Sequence, residues 1–138
     1  MTFRRNDEIQ EGLVAYLKSK TEITDLLYND DAEQIKEYNW QGTNSDAHYP
    51  CIRVRLFGNM PNDDCSKSVF TASILVFDEN ASSQHADNIA GIIGGILRRR
   101  GFTSSGVAFT SKLTNLIHAV RQDMRTWRSE ILLSGIAS

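Results

Sequence analysis

The sequence has little cysteine and no long apolar run, and these shortages exclude several classes of protein. Only Cys51 and Cys65 occur among the 138 residues, and they do not form the CxxC motif of a zinc or redox site. We interpret both as reduced, structural thiols, because a domain of this length needs no disulfide; a single Cys51–Cys65 disulfide remains open. Every apolar stretch is interrupted well short of the ~18 residues that a membrane span requires, so we expect no contact with a membrane.

Catalytic signatures are also missing. The sequence contains no GxSxG, Walker phosphate-loop or GxGxxG motif. Its three histidines, His48, His85 and His118, are scattered and lack the spacing of a helical metal pair. Asp78 and Glu79 are interpreted as a solvated turn, because neighbours along a strand point to opposite faces. We therefore expect no enzyme activity, no metal and no cofactor.

The composition is that of an ordinary soluble globular protein. Hydrophobic residues make up 41% and charged residues 23% of the chain, and the mean hydropathy is −0.34. The first eight residues contain two arginines without an apolar segment behind them, which does not fit a secretory signal. No repeat, low-complexity tract or linker divides the sequence, so residues 1–138 are predicted to form a single domain.

The net charge of −2 conceals an uneven distribution. Residues 1–50 carry ten acidic and five basic side chains, whereas residues 91–138 carry two acidic and seven basic ones. The two blocks could neutralise each other within the fold. Alternatively, they could meet between copies in a heterologous contact, which builds rings or filaments. The sequence leaves both alternatives open.

Apolar spacing predicts two main helices. Residues 6–19 form the first, with Asn6 as its cap, and Thr21 starts a further short turn. Residues 82–100 form the second, which carries a continuous apolar face and ends at Gly101. The apolar stripe of the first helix consists of Ile9, Leu13, Tyr16 and Leu17.

Alternating and apolar segments predict a mostly antiparallel sheet. The segment 67–77 is apolar on both faces, which is typical of a central strand covered on both sides. Residues 58–66 are predicted to be a loop, and a serine- and glycine-rich link is expected after Gly101. The other predicted strands are 33–38, 51–57, 112–121 and 125–136, the last two joined by a turn at 122–124. The pattern indicates an α+β fold whose mostly antiparallel sheet packs against two main helices.

Three glycines within five positions stand out in the second helix. Each of Gly91, Gly94 and Gly95 costs ~1 kcal/mol relative to alanine in a helix. We interpret them as close packing of the helix backbone against the sheet or a neighbouring subunit. The spacing of Gly91 and Gly94 resembles the GxxG loop of RNA-binding KH domains, but isoleucines stand where that loop needs polar residues.

Several arginines form a basic cluster near the C-terminus. A nucleic-acid groove usually adds exposed aromatic residues, and only Phe102 and Trp127 are close in sequence. Strand alternation places Arg128 and Glu130 on one face, away from Trp127 and Ile131. We predict that the cluster contacts the acidic N-terminal region of an adjacent copy; solvated surface cations are the alternative. The cluster consists of Arg98–Arg100, Arg121, Arg125 and Arg128.

The order of these elements resembles the tail terminator and tail-completion proteins of long-tailed bacteriophages, the family of the lambda-type tail terminator. The resemblance is one of layout and covers nearly the whole chain. It is carried by the helix from Asp7 to Ser19 with the acidic loop after it, and by the Tyr49-Pro50 step into the strand Cys51–Phe57. Strand 67–77, helix 85–100 and a closing hairpin that ends at 127–136 complete it.

The resemblance implies a structural virion protein that is made in the host cytoplasm and located at the head-proximal end of the tail. Such proteins assemble as a ring, typically a hexamer, that stops polymerisation of the tail tube and joins the head. The implied partners are further copies, the major tail tube protein and the connector or stopper protein, while DNA passes through the lumen without being read. The candidate subunit or tube interface consists of Arg121, Arg125, Arg128, Gly91, Gly94, Gly95, Asp63 and Asp64.

Three other functions remain open from the sequence. The first is a head-completion or stopper protein of the connector. The second is a small nucleic-acid-binding regulator that uses the arginine cluster. The third is a small enzyme whose site is built by the loops 39–50 and 58–66.

Overall fold

The computed structural model of the chain describes residues 4–38, 48–62, 67–80 and 82–138. The described part contains three α-helices and one six-stranded sheet. The helices are α1 (Asn6–Lys18), α2 (Thr21–Thr24) and α3 (Gln84–Leu97). The strands are β1 (Ile35–Glu37), β2 (Cys51–Asn62), β3 (Lys67–Asp78), β4 (Arg99–Ser104), β5 (Val107–Arg121) and β6 (Trp127–Ala137). Two 3₁₀ turns, Tyr28–Asp30 and Ala32–Gln34, precede β1.

The sheet has the strand order β1-β2-β3-β6-β5-β4. β1 pairs with β2 in parallel, and all other neighbouring strands are antiparallel. Two main helices, α1 and α3, pack on this sheet. The predicted α+β fold with a mostly antiparallel sheet and two main helices is therefore confirmed.

The N-cap of helix α1 lies one residue earlier in the chain than predicted. Asn6 is its first helical residue and Arg5 precedes the helix, so the prediction of Asn6 as the cap is wrong. The carboxylate of Glu8 accepts the backbone N–H of Arg5 at 3.1 Å. This acid in the first turn supplies the acceptor that the free N–H groups of a helix start require.

Strand β2 is longer than its alternation predicts. It continues to Asn62 and pairs with β3 throughout, with a bulge between Leu56 and Gly58. The loop predicted at 58–66 is therefore wrong for residues 58–62. Gly58 is absorbed by the bulge. Among the described residues β1 pairs with Ile52–Val54, which leaves the outer side of β2 beyond Val54 as an edge, and Pro61 is tolerated there.

The segment after α3 is a hairpin and not an irregular link. Helix α3 ends at Leu97, so Arg99 and Arg100 open β4 instead of ending the helix as predicted. Strands β4 and β5 are joined at Ser105 and Gly106, whose φ angles are 50° and 77°. Two successive residues with positive φ match the twist of a two-residue hairpin, a signal that the sequence analysis missed.

Both main helices pack on the same face of the sheet. A Cβ atom on Gly12 of α1 would meet Phe109, and one on Gly94 of α3 would meet Leu113. Phe109 and Leu113 are four residues apart on β5 and share one face. The strand residues of the same core are alternate residues of β2, β3 and β6: Ile52, Val54, Phe70, Ala72, Ile74, Val76, Ile131, Leu133 and Ala137. Within the described ranges, no helix packs on the opposite face, which we call the uncovered face.

Candidate assembly interface

The uncovered face exposes a row of apolar side chains at one end of the sheet. The strand register places Met60, Val69 and Ile136 side by side on β2, β3 and β6. Their exposed fractions are 72%, 44% and 41%. Contiguous apolar groups open to solvent are typical of interaction surfaces, so this row is a candidate interface that the sequence analysis did not identify.

A second apolar group lies at the other end of the uncovered face. Ile117 and Val120 of β5 stand opposite Glu130 and Arg128 of β6, and both are exposed. The face thus carries apolar groups at its two ends, next to charged side chains. Such a mixture is what the surface of a protein–protein contact requires.

Charged side chains cover the middle of the uncovered face. The Nη2 atom of Arg55 lies 3.3 Å from Oε2 of Glu130, and its guanidinium stacks 4.5 Å above Phe57 and 4.9 Å from the ring of Tyr38. Leu75 lies between Arg53 and Glu130 in the register and is fully buried. Long charged side chains cover apolar surface with their stems, which explains the burial of Leu75 without a helix above it.

Strand β3 is buried on both faces in its second half but not in its first. Its residues from Ala72 to Val76 are buried without interruption, as the two apolar faces predicted. Val69 on the uncovered face is exposed, so the prediction is wrong for the first half of the strand. The first half carries the surface that remains open for a partner.

The three arginines of the candidate interface lie at one end of the β5–β6 hairpin but differ in their contacts. Arg128 is on the uncovered face together with Glu130, as alternation predicted. Arg121 stacks 4.4 Å from the ring of Trp127 and its Nη1 donates to the carbonyl of Met124 at 2.6 Å. Arg121 is therefore engaged within its own hairpin.

Arg125 lies in the hairpin turn, because β6 begins at Trp127 and not at residue 125. The carboxylate of Asp123 accepts the backbone N–H groups of Arg125 and Thr126 at 2.8 and 2.9 Å. These bonds hold the pKa of Asp123 below its usual value. They also widen the turn beyond the predicted 122–124, which leaves the Arg125 side chain exposed.

The three helical glycines have different surroundings. A Cβ atom on Gly94 would lie 3.1 Å from Cδ2 of Leu116, so close packing against the sheet is observed there. A Cβ atom on Gly91 or Gly95 would have no atom within 4 Å among the described residues. Those two glycines lie on the open side of α3. Asp63 and Asp64, the remaining predicted interface residues, lie outside the described residues.

The described ion pairs of the acidic N-terminal block lie within that block. Glu33 binds Lys18 at 3.3 Å and Lys36 at 3.0 Å, and the two ammonium groups lower its pKa. Arg4 and Arg5 pair likewise with acids of their own helix start. Among the side chains that the structure describes, no ion pair joins residues 1–50 to residues 91–138.

The histidines are not brought together. His48 stacks on Tyr28 at 4.4 Å, His85 Nδ1 lies 3.3 Å from Asp78, and His118 Nδ1 lies 2.6 Å from Asp87. No group of three or more histidine, cysteine, aspartate or glutamate side chains suited to a metal occurs in the part of the chain that the structure describes.

Asp78 is buried, so its interpretation as part of a solvated turn is wrong, while Glu79 is exposed. The carboxylate of Asp78 accepts a hydrogen bond from the side-chain amide of Asn80 at 2.7 Å. Trp127 Nε1 in turn donates to the Asn80 carbonyl at 3.0 Å. The carboxylate therefore organises the connection from β3 to α3. A cavity of about 440 Å³ borders this connection.

Cys51 is a free, buried thiol, in agreement with its interpretation as structural. Burial raises its pKa to about 11. A thiol with so high a pKa is protonated at neutral pH and is a poor nucleophile. Cys65 lies outside the described residues.

None of the helices in the described ranges is both long and apolar enough to cross a membrane.

No family model and no curated protein matches the sequence. A solved structure described as "Virion of native gene transfer agent (GTA) particle" contains a chain that superposes with a TM-score of 0.63, over 95% of each of the two chains. The two sequences are 12% identical, so the comparison shows that this chain is similar in fold to a chain of that virion.

Proposed function

We propose that the protein is a structural, non-enzymatic component of a phage-like virion. Within the virion we assign it the role of tail terminator: a ring, of six copies by the resemblance above, that caps the tail tube and stops its polymerisation. The ring also presents the surface that joins the head. The observation that carries the proposal is the uncovered face, whose apolar row Met60, Val69 and Ile136 is exposed in the isolated chain.

The fold supports the virion part of this proposal. The chain shares its architecture, from α1 to the closing hairpin, with a chain of a gene transfer agent virion over 95% of both. The layout of its sequence separately resembles the tail terminator family. A fold can serve unrelated functions, so the finer role rests on the interface and on the test below.

The charge distribution supports the ring. No ion pair joins the N-terminal acids to the C-terminal arginines among the described side chains. A contact between two different patches is heterologous, and a heterologous contact closes into a ring when its rotation permits. DNA would then pass through the lumen, while the tube protein and the connector bind the two rims.

Deletion of the gene from the genome that encodes it tests the proposed role. A missing terminator leaves tube growth unchecked, so we expect tails of abnormal and variable length that do not attach to heads. Electron microscopy of lysates measures both properties, and a plasmid-borne copy of the gene is the control. Tails of normal length would contradict the terminator role.

The same experiment separates the head-completion alternative. Loss of a stopper leaves tails of normal length, together with heads that lose DNA. A nucleic-acid-binding regulator would instead show DNA affinity that falls steeply with salt. Of the arginine cluster, Arg121 is already engaged with Trp127 and the carbonyl of Met124, and we expect no such affinity.

A further inference from the structure

The tip of the β5–β6 hairpin presents an apolar and a cationic side chain together. Met124 is 93% exposed, the largest exposed fraction of any large apolar side chain described, and Arg125 beside it is exposed as well. The turn is held in shape from both sides. Asp123 accepts two backbone N–H groups, and Arg121 donates to the carbonyl of Met124. A turn fixed in this way loses little conformational freedom on binding.

A groove of complementary character lies between α1 and β1. It measures about 360 Å³ and is lined by Val14 and Ile35 together with charged side chains. Its two lysines are both bound to Glu33. Glu11 and Glu37 also line the groove and are exposed, and neither is in an ion pair with another described residue. The groove thus combines apolar contacts with two carboxylates open to a cation.

We propose that the hairpin tip of one copy inserts into the α1–β1 groove of a second copy. The Arg125 guanidinium then lies between Glu11 and Glu37, and the Met124 side chain covers Val14. The inference deepens the proposed function and rests on it for the identity of the partner as another copy of this chain.

Two observations favour a second copy as the occupant. The groove belongs to the acidic N-terminal block and the tip to the basic C-terminal block, and no ion pair joins these blocks among the described side chains. Moreover, the guanidinium of Arg125 at the exposed tip makes no contact with another described residue, whereas that of Arg121 stacks on Trp127. Arg128 makes none either, but it lies on the uncovered face of β6 and not at the tip. Because tip and groove are different surfaces, each copy offers one of each, and the contact can repeat around a ring.

Sedimentation velocity of the purified protein over a concentration series tests the contact. The wild type should self-associate, and raising the salt concentration should weaken the association. Arg125→Glu, and separately Glu11→Arg combined with Glu37→Arg, should each weaken self-association at least about tenfold while the circular dichroism spectrum is unchanged. Arg98→Glu and Glu22→Arg serve as matched controls, because they reverse exposed charges outside the tip and the groove.

Mixing the two defective variants gives a sharper result. The Arg125→Glu variant keeps an intact groove, and the Glu11→Arg, Glu37→Arg variant keeps an intact tip. In an equimolar mixture both contacts join opposite charges, an unchanged tip in an unchanged groove and a reversed tip in a reversed groove, so the mixture should recover association that neither variant shows alone. A chain that carries Arg125→Glu together with Glu37→Arg exchanges the charges and should recover part of the wild-type association.

The outcomes separate this inference from the proposed function. If the wild type is monomeric at every concentration, or if the groove and tip variants associate like the wild type, the contact does not exist. Gene deletion that still gives overlong, headless tails would then leave the terminator role in place. Normal tails together with tip-dependent self-association would reject the terminator role and keep the contact.

Discussion

The two faces of the sheet differ in what covers them, although strand β3 supplies apolar side chains to both. Phe70 points to the helix-covered face and is fully buried, whereas its neighbour Val69 points to the uncovered face and is 44% exposed. Both residues are apolar and strand-forming, so local preference does not distinguish them. The difference shows that an apolar strand face favours burial, but the sequence does not say whether the same chain or a partner buries it.

The uncovered face itself shows two solutions to this need. In its middle, Arg55 and Glu130 lie over β3 beside the buried Leu75. Beside Met60 and Ile136 the described residues include no such charged pair, and the apolar side chains stay exposed. The chain therefore covers the middle of the face with its own side chains and leaves the described end open, where we place the proposed contact with a partner.

The largest effect that separates the two faces is expected at Phe70 and Val69. Phe70→Ala removes a buried ring from the core and should lower the free energy of unfolding by about 3–5 kcal/mol. Val69→Ala changes an exposed position and should lower it by no more than about 0.5 kcal/mol. Denaturant melts of both variants measure the difference, and equal losses would show that the uncovered face is packed in the monomer.

A smaller difference is expected between two neighbouring glycines of α3. Gly94→Leu forces a side chain against Leu116 and should cost about 1–3 kcal/mol by overpacking. Gly95→Leu places the same side chain in open space and should stabilise the helix by up to about 1 kcal/mol, because leucine is the better helix former. Thermal melts compare the two, and a stable Gly94→Leu variant would refute close packing of α3 on the sheet.

An effect of about 1 kcal/mol is expected from Cys51, which is buried although it lies in register with Phe77 of the uncovered face. Its folded-state pKa of about 11 exceeds the ordinary 9.0. Between pH 9 and pH 11 the Cys51 thiol is ionised in the unfolded chain but protonated in the folded one. The free energy of unfolding therefore has its full value below pH 9 and falls as the pH rises towards 11, by about 1 kcal/mol at pH 10. Melts of the wild type and of Cys51→Ala at pH 8 and pH 10 isolate the contribution of the Cys51 thiol to the pH dependence of stability. An identical pH dependence in both proteins would contradict the prediction.

The smallest effect on the monomer is expected at Met60, where the consequence for assembly is greatest. Met60→Asp changes a side chain that is 72% exposed, so the free energy of unfolding should change by less than about 0.5 kcal/mol. The charge should nevertheless prevent contact at the apolar row. Complementation of the gene deletion, scored by tail length and head attachment, measures this, with Asn88→Asp on the exposed side of α3 as the control. Full complementation by Met60→Asp would exclude the row as an interface.

Periodicity was a good guide where one physical requirement dominated. The stripe Ile9, Leu13, Tyr16 and Leu17 predicted α1, and all four side chains are buried. Alternation placed Arg128 outward and Ile131 inward, as observed. The sequence analysis failed at Gly58 and Pro61, because turn-forming residues at a bulge and at a sheet edge do not end a strand.

The candidate site was less accessible to the sequence than the fold. Among the described residues, Gly94 is the predicted interface glycine that packs against the sheet, and its environment depends on where the leucines of β5 lie. The row Met60, Val69 and Ile136 draws on three strands, and its members are far apart in the chain. No local pattern places them together; the register of β2, β3 and β6 does.

By itself the sequence determined the main helices, most of the strands and the segregation of acidic and basic residues, because periodicity and charge are properties of neighbouring residues. Only the tertiary structure decided which face of the sheet the helices cover, which arginines are engaged and which carboxylates stay open in the groove. Those features depend on the strand order and on where both helices pack. Both are set by contacts between segments distant in the chain, where the burial of apolar surface is shared by the whole fold.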